Sequence, residues 1–390
     1  MISRLRTYRT LFCASLILLG ACNKTPEHNA DTGIKLMFIG QITDTANATS
    51  IPEAAAGATA AVARINANGG LFGKAITLLI CDDKADANEA AKCARKAVRE
   101  QVAAVVGSNT NHGNVILPIL ANANIMSLGQ NPITAQDFAN PTSFPLQGGA
   151  PTAVIGTAKL LVQQGARKIR LATVDSLAGS LSEGFAKQGL ANTEAEFMGI
   201  TLIPVGAPDY AGYAASLISD SDGIIISTNA DQAARIVMAL RQAGATQKIA
   251  LPALALPPAT LAQLGNKAEG LLLASTDKPT ASTDRSQYEQ DMNQYANSAK
   301  RTAFALRSWL AVTVFDRVLR KAAPEQGRNV DAKTILALFE QLEGQQVSDL
   351  IPTLTTTQTL AAPFNRLFIN KVMYARIVNG EMVLIDEQWY

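Results

Sequence analysis

Gly57–Asp83 reads GATAAVARINANGGLFGKAITLLICDD, and this stretch decides the fold. Ala60, Ala61, Ala63 and Ile65 recur at helical spacing, so the segment opens as a helix with an apolar side. Asn68-Gly69-Gly70 ends that helix, because glycine enters the left-handed conformation a helix C-cap requires. Ile76–Cys81 is then an unbroken apolar run, the signature of a strand buried on both faces. An acidic pair, Asp82-Asp83, follows it. These residues are scaffold, and their value is that they identify an α/β fold.

The same alternation extends outward in both directions. Ile34–Gly40 is expected as a strand and Glu53–Asn68 as a helix. Ala87–Glu100 (helix), Val102–Gly107 (strand), Val115–Asn122 (helix) and Ile125–Leu128 (strand) continue the series. The pattern restarts near Pro151, with helices at Thr152–Gln164, Leu181–Leu190, Tyr210–Ser219 and Asp231–Ala243. Strands are expected between them at Lys168–Val174, Met198–Pro204 and Gly223–Ser227, then at Lys248–Pro252 and Gly270–Ser275. Asp209 is the expected cap of the helix at Tyr210. Two series on about 360 residues mean two doubly wound lobes rather than one. Asp284–Asn297, Arg301–Ala322 and Ala332–Leu342 read as helices. Ala303–Leu319, interrupted by Arg307 and Asp316, reads as a surface helix with one buried face. Phe364–Ile385 reads as two strands around an Asn379-Gly380 turn.

The phrase INANGGLFGK (Ile65–Lys74), set in this order of parts, resembles the opening of bacterial type I solute-binding proteins, the leucine/isoleucine/valine-binding family. The resemblance implies two Rossmann-like lobes with parallel sheets and a ligand cleft between them. It implies three crossings of the chain between lobes, near residues 149, 276 and 350. The lobes would then be 34–149 plus 277–350 and 150–276 plus 351–390. It further implies a small-molecule ligand, an ABC permease as partner, no cofactor and a monomeric protein.

The N-terminus carries an address. Arg4, Arg6 and Arg9 precede the short apolar run Leu11–Ala21, which is far below the roughly 20 residues needed to cross a bilayer. The run ends Leu19-Gly20-Ala21-Cys22, small residues before a cysteine, as a lipoprotein signal peptidase requires. Residues 1–21 are therefore expected as a signal peptide, Cys22 as the lipidated residue and 22–33 as a polar tether. The expected location is the cell envelope, exported and lipid-anchored. The formal net charge is +2. Removing the signal segment takes three positive charges with it, and no basic patch remains to bind nucleic acid. In an oxidising compartment, Cys81 at a strand end and Cys93 in the next helix are candidates for a disulfide, with two buried thiols as the alternative.

Catalytic signatures are missing. The chain has two histidines, His28 and His112, too few for a histidine metal cluster. There is no phosphate-binding glycine loop and no nucleophile elbow. GSLSEG at Gly179–Gly184 reads as a loop entering a helix. Asp82-Asp83 reads as a solvated loop or helix start. The protein is expected to bind rather than to catalyse.

Ligands of open α/β sheets lie beyond the carboxyl ends of the strands. That rule selects Gln41–Ser50, Ser108–Asn114 and Gly129–Pro132 in one lobe. In the other it selects Asp175–Ser180, Thr228–Asp231 and Ala253–Pro257. The candidate ligand-binding residues are Asn109, Thr110, Asn111, Gln130, Asn131, Asp175, Ser176 and Asn229. Bare amides at the helix start near Asn111 suit an anionic or carbonyl group. Amino-acid-binding relatives use serine or threonine-rich loops for the carboxylate and acidic second-lobe residues for the ammonium. Here Ala150 and the apolar Ala253–Leu256 occupy the corresponding places. An ammonium left without a carboxylate would cost several kcal/mol. The expected ligand is therefore a small polar solute other than an ordinary α-amino acid. A second reading remains open: a regulatory envelope lipoprotein on the same fold, like the penicillin-binding-protein activators or a ligand sensor, working through a protein partner.

Overall fold

The computed structural model describes residues 33–390, except 46–49 and 327–329. The expected signal segment, the acceptor Cys22 and the tether up to residue 32 lie outside the described residues. The chain begins β1 (Ile34–Gly40), α1 (Pro52–Ala67), β2 (Ile76–Asp82), α2 (Ala87–Arg99) and β3 (Ala104–Val106). It continues α3 (Gly113–Asn122), β4 (Ser127–Leu128), α4 (Ala135–Ala139) and β5 (Ser143–Phe144). These strands form a parallel sheet in the order β2-β1-β3-β4-β5.

The second series is α5 (Gly149–Gln163), β6 (Lys168–Val174), α6 (Leu177–Leu190), β7 (Glu196–Ile203) and α7 (Ala211–Ile218). Then come β8 (Gly223–Ser227), α8 (Ala230–Gln242), β9 (Lys248–Pro252), α9 (Pro258–Leu264) and β10 (Leu272–Ser275). Helices α10 (Thr283–Tyr295), α11 (Ala303–Gln326) and α12 (Ala332–Phe339) precede β11 (Met373–Val378) and β12 (Glu381–Leu384). The second sheet runs β12-β11-β10-β9-β8-β6-β7. Its strands are parallel from β7 to β10, while β11 and β12 add antiparallel at the edge. Asn379 and Gly380 join those two with φ of 53° and 78°, the left-handed pair a type I′ hairpin needs. The hairpin begins at Met373, later than the Phe364 expected from sequence.

Strand β1 shows why these runs are apolar throughout. Leu36 and Phe38 pack with α1 and α11, whereas Met37 and Ile39 pack with α2 and α3. Alternate side chains leave opposite faces of a strand, so a sheet covered on both sides demands apolar residues at every position. Strand β8 repeats this, with Ile224 and Ile226 on one side and Ile225 on the other.

The hydrophobic clusters locate the crossings. Leu146 belongs to the first lobe and Val154 to the second. Ala274 belongs to the second and Tyr288 to the first. Ile351, Leu354 and Ile369 still pack in the first lobe, and only Val372 and Tyr374 join the second. The last crossing therefore falls after Ile369, not near 350. The reason is that Thr356 bonds back to the Phe339 carbonyl and Arg366 to the Phe138 carbonyl, which holds 351–369 on the first lobe.

Helix α11 also differs from expectation. It is a core element, with Ala305, Leu306, Trp309, Leu310, Val312 and Phe315 all buried. It lies close to the first lobe because glycines face it: a Cβ on Gly57 would sit 2.0 Å from the Ala305 carbonyl oxygen, and one on Gly107 2.7 Å from Ser308 Cα. Gly57→Val is accordingly expected to cost about 1–3 kcal/mol by forcing α1 off α11. Urea unfolding measures this, and an unchanged midpoint would show that the two helices separate freely.

Candidate functional site

Both sheets share one order within their parallel part: β2-β1-β3-β4-β5 and β7-β6-β8-β9-β10. Each has a switch point where successive helices go to opposite faces, at β1/β3 and at β6/β8, and a crevice opens there beyond the carboxyl ends. The crossings join these carboxyl edges. Residues 145–148 leave the end of β5 for α5, and Thr276-Asp277 leave the end of β10 for α10. Arg307 of α11 holds the latter, donating to Thr276 Oγ1 at 3.2 Å and Asp277 Oδ1 at 3.1 Å. The crossings thus run from the carboxyl edge of one sheet to that of the other.

In the first lobe, Asn109 pairs by its backbone with β1, its N–H donating to the Ile39 carbonyl at 3.1 Å. The side chains of Asn109 (half-buried) and Asn111 (exposed) make no hydrogen bond among the described residues. Thr110 is less available, since its hydroxyl donates to Asp83 and accepts from the His112 N–H. Helix α3 starts after His112 without a side-chain cap, as the expectation of bare amides requires. The loop expected at 41–50 is described at 41–45 and at 50.

The acidic pair after β2 has a different job from the one expected. Asp82 accepts from the N–H groups of Ile42 and Lys84 and from the Thr43 hydroxyl. Asp83 accepts from the Ala85 N–H and the Thr110 hydroxyl. Burial alone would raise the Asp82 pKa, but the bonds from Thr43, Ile42 and Lys84 prevail and hold it below the usual value. The pair ties the loops after β1 and β3 to the end of β2. Among the described residues, no group of histidine, cysteine or carboxylate side chains is placed to hold a metal ion.

Gln130 does not face the cleft. It is buried, its amide donating to Ser143 Oγ at 2.5 Å and accepting from Ser127 Oγ at 3.2 Å. Its polarity is spent joining β4 to β5, whose two-residue ladder leaves backbone pairing short. Asn131 is half-buried and accepts from Gln147 Nε2 at 3.1 Å, which links the β4 loop to the first crossing.

In the second lobe, Asp175 and Ser176 are exposed at the end of β6. Ser176 caps α6, its hydroxyl accepting from the Gly179 N–H at 3.0 Å. The helix therefore starts at Leu177, and GSLSEG lies inside it rather than in an entering loop. Asn229 likewise caps α8 by accepting from the Gln232 N–H at 2.9 Å. It also lines a hollow of about 240 Å³ with Tyr210, Asp231 and Arg235. Asp231 is paired with Arg235 at 2.9 Å. The structure thus brings Asp175, Ser176 and Asn229 to adjacent strand ends, and Asn109, Thr110, Asn111 and Asn131 to those of the other lobe.

Sequence reasoning selected polar residues and passed over apolar ones. Ile133, Leu177, Leu181, Val205 and Leu254 are exposed, and all follow the carboxyl ends of strands. Phe364 of the last crossing segment packs edge-on against Phe138 of α4 at 5.5 Å and Phe185 of α6 at 6.0 Å, bridging the lobes. The i, i+4, i+8 spacing of Leu177, Leu181 and Phe185 was the available signal.

Two doubly wound lobes whose carboxyl edges are joined by the crossings have the architecture of a two-lobed binding protein. A family model described as periplasmic binding protein matches residues 37–380, and the chain belongs to that family. No curated protein matches the sequence. Among solved structures, a putative branched-chain amino acid ABC transporter protein from Rhodospirillum rubrum is similar, at 18% identity and a TM-score of 0.73, over 90% of this chain and 100% of its own. A fatty acid ABC transporter substrate-binding protein from Thermomonospora curvata gives 14% and 0.73, over 92% of each chain. The branched-chain amino acid binding protein LivJ of Streptococcus pneumoniae, solved with isoleucine, gives 19% and 0.68, over 90% and 99%. At these identities the likeness concerns the fold. No helix among the described residues is long and apolar enough to cross a membrane.

Proposed function

We propose that this protein is the exported, lipid-anchored substrate-binding component of an ABC-type uptake system. It captures a small solute between its lobes and presents it to a permease, without catalysis. The observation that supports this most is the matched pair of switch points, β1/β3 and β6/β8, set at the two edges that the crossings join. A solute touching both edges stabilises the closed arrangement by its differential affinity for it. Among the similar solved structures, one belongs to a fatty acid transporter and another holds isoleucine, so the fold accommodates both amphipathic acids and zwitterions. The lobes would divide as the crossings do, Cys22 would carry the lipid, and the protein would act as a monomer.

Solution scattering and thermal shift on the purified full-length protein test this reading. A ligand at 100 times its dissociation constant adds about 2.7 kcal/mol, enough to raise the melting point by several degrees. The expected result is such a rise together with a smaller radius of gyration. A rise without compaction would remove lobe closure from the mechanism. Cys22→Ala is expected to move the protein from the membrane fraction to the soluble one, and its retention would remove the lipid anchor.

A further inference from the structure

Beyond the carboxyl ends of β7 and β8 lies the hollow of about 240 Å³ that Asn229 helps to line. One wall is the loop at 205–208 with Tyr210, and the other is the first turns of α8. All of it belongs to one lobe, so it is formed whether or not the lobes close. Ala207 and the Tyr210 ring pack in the core with Ala214 of α7 and Ala233 of α8, which fixes the back of the hollow. Three polar side chains around it have hydrogen-bonding capacity that the fold does not use. Tyr210 is only 8% exposed, and its hydroxyl makes no hydrogen bond among the described residues. It lies near enough to Arg235 for the two to interact electrostatically, so it faces the hollow they both line. Gln232 is 3% exposed and donates from Nε2 to the Ile203 and Pro204 carbonyls at 3.2 and 3.0 Å. Those two bonds fix its amide and leave Oε1 without a partner among the described residues. Asn229 uses its oxygen to cap α8, and its amide nitrogen makes no bond among them. Buried polar groups are ordinarily paired, so a cluster of unpaired ones around a preformed hollow points to something that pairs them.

The chemistry of the lining selects the ligand class. Asp231 and Arg235 pair at 2.9 Å and neutralise each other, so a charged ligand would meet its like as closely as its opposite. The positive end of α8 is already answered by the Asn229 cap and by Asp231 in the first turn. What the hollow offers is a mixture of donors and acceptors: the Asn229 amide nitrogen and the Arg235 guanidinium on one side of the ledger, Gln232 Oε1 and the Asp231 carboxylate on the other, and the Tyr210 hydroxyl as either. Hydroxyl groups match such a mixture, because each can donate and accept. Val205, exposed at the rim, and the Tyr210 ring supply apolar surface for the C–H groups of the same molecule. The volume lies just below the roughly 300–1,000 Å³ of drug-sized pockets, which fits one ring rather than a chain. We infer that this hollow is a second, single-lobe binding site for a neutral polyhydroxylated molecule of the size of one hexose. It is separate from the cleft function proposed above and does not depend on it.

The test is calorimetric titration of the full-length protein with glucose, galactose and mannose, each beside its amino-sugar and uronate counterparts, and with cyclohexanol as a ring carrying a single hydroxyl. The expected result is binding of at least one neutral hexose, at least about tenfold tighter than cyclohexanol and tighter than its two charged counterparts, with no change in the radius of gyration. Tyr210→Phe removes one oxygen and leaves the ring in the core, and Arg235→Met alters an exposed side chain, so both variants keep their fold, which their unfolding curves verify. Each is expected to weaken hexose binding by at least about fivefold. Undiminished binding in both variants overturns the inference, as does a charged counterpart that binds more tightly than its neutral hexose. If a hexose binds with compaction and both variants leave it unchanged, it occupies the cleft: the inference fails and the cleft function stands. If no hexose binds, the inference fails and the cleft function is untouched.

Discussion

Asp284→Ala is expected to cost about 3–5 kcal/mol of folding stability, because it strands a partly buried guanidinium. Asp284 sits in the first turn of α10 and is itself buried. It accepts two bonds from Arg317 of α11, at 2.6 and 2.7 Å, one from the Ser348 hydroxyl at 2.6 Å and one from the Asp349 N–H at 3.2 Å. Arg317 also donates to the Val347 carbonyl at 2.8 Å. One carboxylate therefore fastens two helices to the segment at 347–349. The neighbouring Leu350 carbonyl accepts from the Lys278 N–H at the second crossing.

The pH dependence has a definite sign. Burial alone would raise the pKa of Asp284, but the bonds from Arg317 and Ser348 outweigh it and hold the carboxyl below its ordinary value of 3.8. A depressed carboxyl adds stability above its unfolded pKa, and that stability drains as the pH falls through the lower native value. The wild-type urea midpoint should fall steeply below about pH 4, and part of that steepness should vanish in Asp284→Asn. The asparagine keeps the shape but removes the carboxylate that Arg317 pairs with directly, leaving only the more distant Asp349 and Asp316, so it too is expected to be destabilised at pH 7. A loss below about 1 kcal/mol in both variants would place the pair with ordinary surface ion pairs.

How much of this was legible depends on where each residue's constraint comes from. The quoted opening stretch, β1 and β8 were readable because their constraint is local: a period of side chains and a cover on both faces. The start of α6 was not. Gly179 discourages a helix when read alone, yet it is required inside one, because a Cβ there would lie 1.9 Å from the Val174 carbonyl oxygen. Helix α9 begins at Pro258, whose missing N–H is tolerated in a first turn, and no helix was expected between the strands at Lys248–Pro252 and Gly270–Ser275. Gln130 shows the limit for sites. Its place after a strand and its polarity were right for a cleft, and only the shortness of β4 and β5 explains why its amide is used inside. The last crossing moved to residue 370 because tertiary bonds from Thr356 and Arg366, not local pattern, hold the preceding segment.

Removing the Cys81–Cys93 disulfide is expected to cost about 3 kcal/mol, from the chain entropy regained by an unfolded state freed of a loop this short. The bridge spans a separation of 12 residues, with Cα atoms 5.7 Å apart. It joins the end of β2, at the edge of its sheet, to a buried position of α2. Between them the chain turns through Lys84 and Ala85, both left-handed at φ of 52° and 53°, a conformation that side chains other than glycine enter reluctantly. Asp82 and Asp83 hold those two residues by accepting from their N–H groups, and the same carboxylates hold Ile42, Thr43 and Thr110 in the neighbouring cleft loops. Loss of the bridge should therefore reach the first-lobe side of the cleft as well as global stability. In Cys81→Ala/Cys93→Ala, urea unfolding should show the loss, and amide exchange should quicken first at 82–86 and at Ile42. Reduction of the wild-type protein should reproduce both effects. A loss below about 1 kcal/mol with unchanged exchange would mean that the two aspartates fix this turn, and the loops beside it, without help from the sulfurs.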